Sequence, residues 1–405
     1  MEPGHWYRIS GNAPDLNLPP TPVGTRYLAD NDPARDPALN PPTSLKERAR
    51  RLAGRDWIAP WRGCVGFSSI TEAWNSAIYA SRFGQSGAMI IFGGGHNDYF
   101  GSDVHAFDLA HREWRRLIDG FVTGNPDEYG EGAIYPEAVY PDDSPLPPHT
   151  YDYVQYEEVG NDLMLLKGQT ELGPNVKAVA IPHLFNLHTL TWRRGPRHPS
   201  AILNSGGFTT WDANRRLLWG HSGDDGGGNA FVAYNPDGVN PDGTVGAWRE
   251  FHANKIPGEA NHNALQSHPD ADSILVSLHA RDSLARIDPK NPGDVITPVR
   301  SLGPKPQLHE FAALEYSMGI DAFVYYSAAD GAVVYGIDWD GDAKWRVLSA
   351  AASLDPVADA AAQSRHHVNL THTFGRFRIA HFDDGDLAIL VRHVDSPVFA
   401  MRLPG

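Results

Sequence analysis

Residues 86–117 read SGAMIIFGGGHNDYFGSDVHAFDLAHREWRRL. Their first part, SGAMIIFGG (86–94), is a short apolar run closed by glycines, the pattern of a strand buried on both faces. SDVHAFDL (102–109) and EWRRL (113–117) read as two further strands, and WNSAIYASR (74–82) precedes all three as another. Four short strands in succession, each turning back on the last, describe one antiparallel sheet.

The pattern returns along the chain. HTYDYVQYEE, DLMLLKGQ, VAIPHLFNL and LTWRRG form a second unit between 149 and 195. GGFTTWDANR, RLLWGHSG, AFVAYNPD and AWREFH form a third between 206 and 252. NHNALQSHP, SILVSLHA, SLARIDP and ITPVRSL form a fourth between 261 and 302, and EFAALEYS, AFVYYSA, AVVYGIDW and KWRVLS a fifth between 310 and 349. FGRFRIAHF, LAILVRH and SPVFAMRL supply only three strands of a sixth. The missing strand stands at the other terminus. HWYRIS (5–10) has the shape of EWRRL, TWRRG, AWREF and KWRVL, an aromatic followed by a basic residue.

A strand donated from the N-terminal end would close a ring and remove two sheet edges. Residues 1–405 are therefore expected to form a single all-β domain, a β-propeller of four-stranded blades. Six blades count directly, and 12–70 and 118–148 leave room for a seventh. Tandem sandwiches would not leave complementary strands at the two ends.

Composition agrees with this reading. A length of 405 residues suggests two or three ordinary domains, but a repeat ring uses such a length as one. The 40 glycines and 32 prolines imply many turns. A net charge of −15 gives no sign of the basic face that grips nucleic acid. The single cysteine, Cys64, permits no internal disulfide, which fits a reducing compartment or a bacterial protein. No apolar run reaches the length of a membrane span. The opening MEPGHWYRIS lacks the regions of a signal peptide, so a cytoplasmic or virion-associated protein, or one exported with its signal removed, is expected.

Two stretches stand outside the repeat. Residues 12–70 read as a surface extension, proline-rich to residue 43. There Ser44 and Glu47 make a capping box for a helix over 45–53 that Gly54 ends. Residues 118–148 carry Tyr129, Tyr135 and Tyr140 among acidic residues and read as an insertion between blades one and two, either a lid or a surface loop.

The run GGGHNDYFGSDVHAFDLAHREWRRL resembles a Kelch repeat, with its glycine doublet, aromatic strand and tryptophan. The ending FGRFRIAHFDDGDLAILVRH…VFAMRL is similar to the last blade of bacterial propellers related to the central domain of galactose oxidase. The resemblance implies the fold directly and the function only weakly.

In a propeller the lead-in to each first strand and the connection between second and third strands share one face. The sequence assigns ten histidines to it: His96, His149, His221, His262, His279, His309, His366, His367, His372 and His393. Asn97, Tyr99, Tyr151, Asn261, Asn263 and Arg281 fall there as well. A lone loop histidine is usually a hydrogen-bonding corner. Several around one axis suit proton transfer, metal binding or a polar ligand.

Radical copper oxidation, the activity of galactose oxidase, is not expected. Cys64 lies in WRGCVGFSS, unlike the oxidase motif, and no C-terminal sandwich follows the last blade. The architecture is similar to ulvan lyases, which implies β-elimination beside a uronate carboxylate. Such a reaction needs a carboxylate neutraliser, a base for the C5 proton and an acid for the leaving oxygen. His96 and His149 are the expected bases and Tyr151 the acid. Arg281 and Asn261 are expected on the carboxylate, with Asn97, Tyr99, His221, His262 and His309 lining the sugar site.

HHVNLTH (366–372), preceded by Gln363, is loosely similar to the histidine-rich metal site of oligogalacturonate lyases. His366, His367 and His372 are thus candidate ligands for a divalent metal, zinc, manganese or calcium. DWDGDAKW (338–345) lacks the glycine and glutamate of a calcium loop and reads as a hairpin turn. GDDGGG (223–228) likewise reads as a turn. The expected partner is an acidic polysaccharide or other glycan. The rival reading is a non-enzymatic propeller that binds glycans or proteins as a surface or virion component.

Overall fold

The computed structural model describes residues 1–10, 70–71, 74–93, 102–118, 139, 143–145, 147–166, 180–199, 203, 206–223, 231–250, 262–292, 296–363, 373, 375–392 and 396–405. The expected helix over 45–53 and most of the 118–148 insertion lie outside them.

The first strand is β1 (Trp6–Arg8). Blade one then consists of β2 (Ala77–Ala80), β3 (Ala88–Ile91), β4 (Val104–Asp108) and β5 (Glu113–Ile118). Blade two holds β6 (Val154–Glu157), β7 (Asp162–Leu165), β8 (His183–Asn186) and β9 (Thr191–Arg194). Blade three holds β10 (Phe208–Asp212), β11 (Leu217–His221), β12 (Phe231–Val239) and β13 (Val245–Glu250). Blade four holds β14 (Ala264–Ser267), β15 (Ile274–Leu278), β16 (Ser283–Ile287) and β17 (Ile296–Val299). A two-residue strand, β18 (Ser301–Leu302), runs parallel to the outer strand of blade five. That blade is β19 (Ala313–Ser317), β20 (Ala322–Tyr326), β21 (Val334–Trp339) and β22 (Ala343–Val347). Helix α1 (Pro356–Gln363) follows it. Blade six is β23 (Phe377–Ala380), β24 (Leu387–Val391) and β25 (Val398–Arg402), with β1 as its fourth strand.

The ring has six blades. The first strands contact one another in the cycle β2, β6, β10, β14, β19, β23 and back to β2, so no gap remains for a seventh. Closure comes from β1, which pairs antiparallel with β25, Trp6 opposite Met401 and Arg8 opposite Phe399. This is the ring closure expected from HWYRIS.

Second strands are buried on both faces because a blade lies on either side. AMII in β3, DLML in β7 and AFVYY in β20 are buried throughout. The outer strands keep one packed face, and their tryptophans fill it. Trp114, Trp192 and Trp248 sit 5.4, 5.0 and 5.1 Å from Phe107, Phe185 and Tyr234 on the adjacent third strands. Trp192 also packs across the blade boundary on Phe92, 4.8 Å away. Blade four has ITPV in β17 and no tryptophan at this place.

Candidate functional site

Backbone geometry gathers the lead-ins to the first strands into a collar around the axis. Tyr151, Gly206, His262, Phe311 and Gly375 stand just ahead of the first strands of blades two to six, with φ of 44°, 76°, 54°, 61° and 70°. Neighbouring lead-ins are tied by main-chain hydrogen bonds. The N–H groups of Tyr151, His262, Phe311 and Thr373 donate to the carbonyls of Trp74, Gly206, His262 and Phe311, at 2.7, 2.6, 3.1 and 3.1 Å. Ala77 donates to Gly375 at 3.4 Å.

Glycine serves this left-handed slot in blades three and six without steric cost. In blades two, four and five the slot holds tyrosine, histidine and phenylalanine, for which positive φ is unfavourable. Their side chains converge. The Tyr151 and His262 rings lie 5.4 Å apart, and His262 lies 4.2 Å from Phe311. Trp74 joins them, 5.8 Å from Tyr151, 6.2 Å from His262 and 5.4 Å from His149.

Among the described residues, two polar contacts lie at this cluster. His149 Nδ1 is 3.2 Å from Tyr151 Oη, and His262 Nδ1 is 2.6 Å from Glu310 Oε1. Thr150, between His149 and Tyr151, is clamped to blade one. Its N–H donates to Asn75 Oδ1 at 2.9 Å, and its hydroxyl accepts from Ser76 N–H at 2.8 Å. Gly93 makes room for Asn75, since a Cβ there would fall 2.4 Å from Asn75 Oδ1. The histidine–tyrosine pair is therefore held by a rigid second layer.

Beneath the collar, Arg378 fills the axis and is buried. Its Nε donates to Ala77 O at 2.7 Å, and Nη2 donates to Asp152 Oδ1 at 2.8 Å and Ser76 Oγ at 3.0 Å. Nη1 donates to Glu315. One guanidinium on blade six thus binds blades one, two and five. Burial pushes the Asp152 and Glu315 carboxyls above the usual range, and Arg378 only partly offsets it. Burial also works against the Arg378 charge, but the two carboxylates outweigh it and hold its pKa up. Gly375 makes this packing fit, because a Cβ there would lie 2.3 Å from both Asp152 Oδ1 and Ser76 Oγ.

Among the residues expected from sequence, His149, Tyr151 and His262 are brought together. His309 stands apart, its Nε2 3.3 Å from Asp330 Oδ1, a carboxylate whose pKa burial raises and His309 pulls down. His221 is the last residue of β11 and stacks on Phe208, with centroids 5.2 Å apart and planes 7° apart. It is buried inside blade three. Arg281 is exposed on a single 3-10 turn, His279–Arg281. His96, Asn97, Tyr99, Asn261, His366, His367 and His372 lie outside the described residues. Among the described residues no group of three or more His, Cys, Asp and Glu side chains could hold a metal ion.

Sequence reading passed over the arginines of blade six. Arg376 and Arg392 are buried at the same end of that blade as the collar. Arg376 donates to the Thr71 carbonyl, and burial lowers the Arg392 pKa. It also missed Asp103 and His105, a fully buried pair at the start of β4 with Oδ2 and Nε2 2.5 Å apart. The available signal was a charged residue inside an apolar strand run, as in GRFRIA and AILVRH. DWDGDAKW forms the β21–β22 hairpin, with Lys344 Nζ on Asp340.

No family model matches the chain, and no curated protein matches it.

Proposed function

We propose that the collar is the mouth of a carbohydrate site and that the protein is a lyase acting on a uronate-containing polysaccharide. The observation that carries this reading is the 3.2 Å contact between His149 Nδ1 and Tyr151 Oη. It unites a base and a phenol at an axial mouth where bulky side chains occupy unfavourable backbone positions. Strained residues of that kind cluster where side chains are kept for function.

In the proposed reaction His149 removes the uronate C5 proton. The C5–H electron pair becomes the C4–C5 double bond, the C4–O bond breaks, and Tyr151 protonates the departing oxygen. The proton held by His149 then passes to Tyr151 along their hydrogen bond, so both groups return to their starting states. Arg376 and Arg392 are the candidate partners for the uronate carboxylate, in place of the exposed Arg281. No metal is needed to balance the step, and His366, His367 and His372 remain candidates for a divalent ion that would bind the carboxylate. The Kelch-like features of blade one support a glycan-binding propeller without specifying a reaction.

The rival reading is a non-enzymatic propeller that binds a glycan or protein on the same face. Burial favours it, since His149 is only 5% and Tyr151 only 2% exposed. The two readings separate on the ultraviolet absorbance of an unsaturated uronate product, measured with a panel of uronate polysaccharides. Under the lyase reading, at least one substrate gives a signal, and Tyr151→Phe and His149→Ala each reduce it by about 100-fold or more. Saturable glycan binding with no absorbance change for any substrate would establish the rival.

A further inference from the structure

The face opposite the collar carries the connections between first and second strands. There the axis opens into a pocket of about 220 Å³ that shares no described side chain with the aromatic collar. Arg378 and Glu315 form its floor. We propose that this pocket is a second binding site, for a compact ligand bearing a protonated primary amine.

The first argument is hydrogen-bond capacity. Glu315 Oε1 accepts from Arg378, and no described residue donates to Oε2. Gln155 and Gln266 use their amide NH2 groups on the Thr209 and Ser267 carbonyls, at 2.9 and 3.2 Å, leaving each amide oxygen for another donor. Glu158 at the rim accepts from Ser81 through one oxygen. The lining is therefore rich in acceptors. A primary ammonium supplies three donors and no acceptor.

Charge points the same way. Asp152 and Glu315 set two carboxylates against one guanidinium, and Glu158 adds a third. His381 also lines the pocket, but its Nδ1 faces Asp386 at 3.0 Å. Arg82 donates to the Glu158 and Val159 carbonyls and does not line the pocket. Glu158 also acts on the Tyr79 phenol, though less than burial does. Burial first, then Tyr156, Glu158 and Asp386, push its pKa up to about 12. An anionic ligand would find Arg378 already committed through Nε, Nη1 and Nη2.

The walls suit a cation too. Tyr79, Tyr156 and Trp211 line the pocket, and aromatic faces attract ammonium groups. Arg216 already stands 5.5 Å from the Trp211 ring, its charge met by Glu157 and Asp237. The volume lies below the roughly 300–1,000 Å³ of ordinary small-molecule sites, so the ligand is compact. An amino sugar and a short linear amine share the required chemistry.

Isothermal titration of the full chain with glucosamine and with putrescine tests the proposal, with glucose and glucuronate as controls. The expected result is saturable one-to-one binding of at least one amine, with both controls at least tenfold weaker. Which amine binds tells the two sources apart. Glu315→Gln and Glu158→Gln are each expected to weaken binding several-fold, while Tyr151→Phe leaves it unchanged. The proposal is overturned if neither amine saturates, if a control binds as tightly, or if both glutamine variants bind as the parent does. Uronate cleavage plays no part in this readout, so failure of the lyase reading leaves it intact.

Discussion

A single backbone slot is filled differently in successive blades of this ring. Gly206 and Gly375 take it at no cost, whereas Tyr151, His262 and Phe311 take it against a penalty of about 1–2 kcal/mol each. At Gly375 both the positive φ of 70° and the crowding against Asp152 and Ser76 exclude a side chain. Gly375→Ala is therefore expected to destabilise the fold by about 2–3 kcal/mol, read as a lower urea midpoint. An unchanged midpoint would mean that the axial packing has slack. The placement of His149 and Tyr151 in the collar was legible in sequence because HTY stands just ahead of an apolar strand. His221 was not. Whether the last residue of a strand points into the sheet or the loop depends on one position of boundary, and period-two alternation reverses the answer.

At the level of elements, the outer tryptophans and the closing strand could be read together, because EWRRL, TWRRG and HWYRIS share a pattern set by the same packed face. Trp6 shows what that face is worth. Its Nε1 donates to Ala332 O at 2.9 Å, and its ring meets Tyr326 and Phe377 at 5.9 and 6.4 Å. Tyr326 belongs to blade five and Phe377 to blade six, so one side chain seals a blade boundary as well as an edge. Trp6→Ala is expected to cost about 3–5 kcal/mol of unfolding free energy, measured by denaturant titration. A loss below about 1 kcal/mol would show that β1 closes the ring through its backbone pairing alone. The helix expected over 45–53 lies outside the described residues.

Across the whole molecule, the axial cluster is the feature no strand pattern could announce, because Asp152, Glu315 and Arg378 meet only when the ring closes. Removing the cation leaves two buried carboxylates facing each other. Arg378→Met is expected to lose about 3–5 kcal/mol near neutral pH, and less in acid where the carboxyls are protonated. Glu315→Gln acts in the opposite sense. Burial raises the Glu315 pKa above its unfolded value, so the folded state binds more protons across the interval between the two. Stability contributed by the protonated form is then fully present below the ordinary carboxylate range and is lost as pH rises to the folded pKa. Glutamine keeps an acceptor for Arg378 and does not ionise. The variant and the parent should have similar stability in acid, and the variant should gain progressively as pH climbs through that window and hold its advantage above it. Unfolding free energies measured over the acid-to-neutral range decide the matter. A difference that stays flat with pH would place the ionisation of Glu315 outside the stability of the ring. A parent that is more stable than the variant at neutral pH would mean that the Glu315 charge strengthens the axial clasp despite its burial.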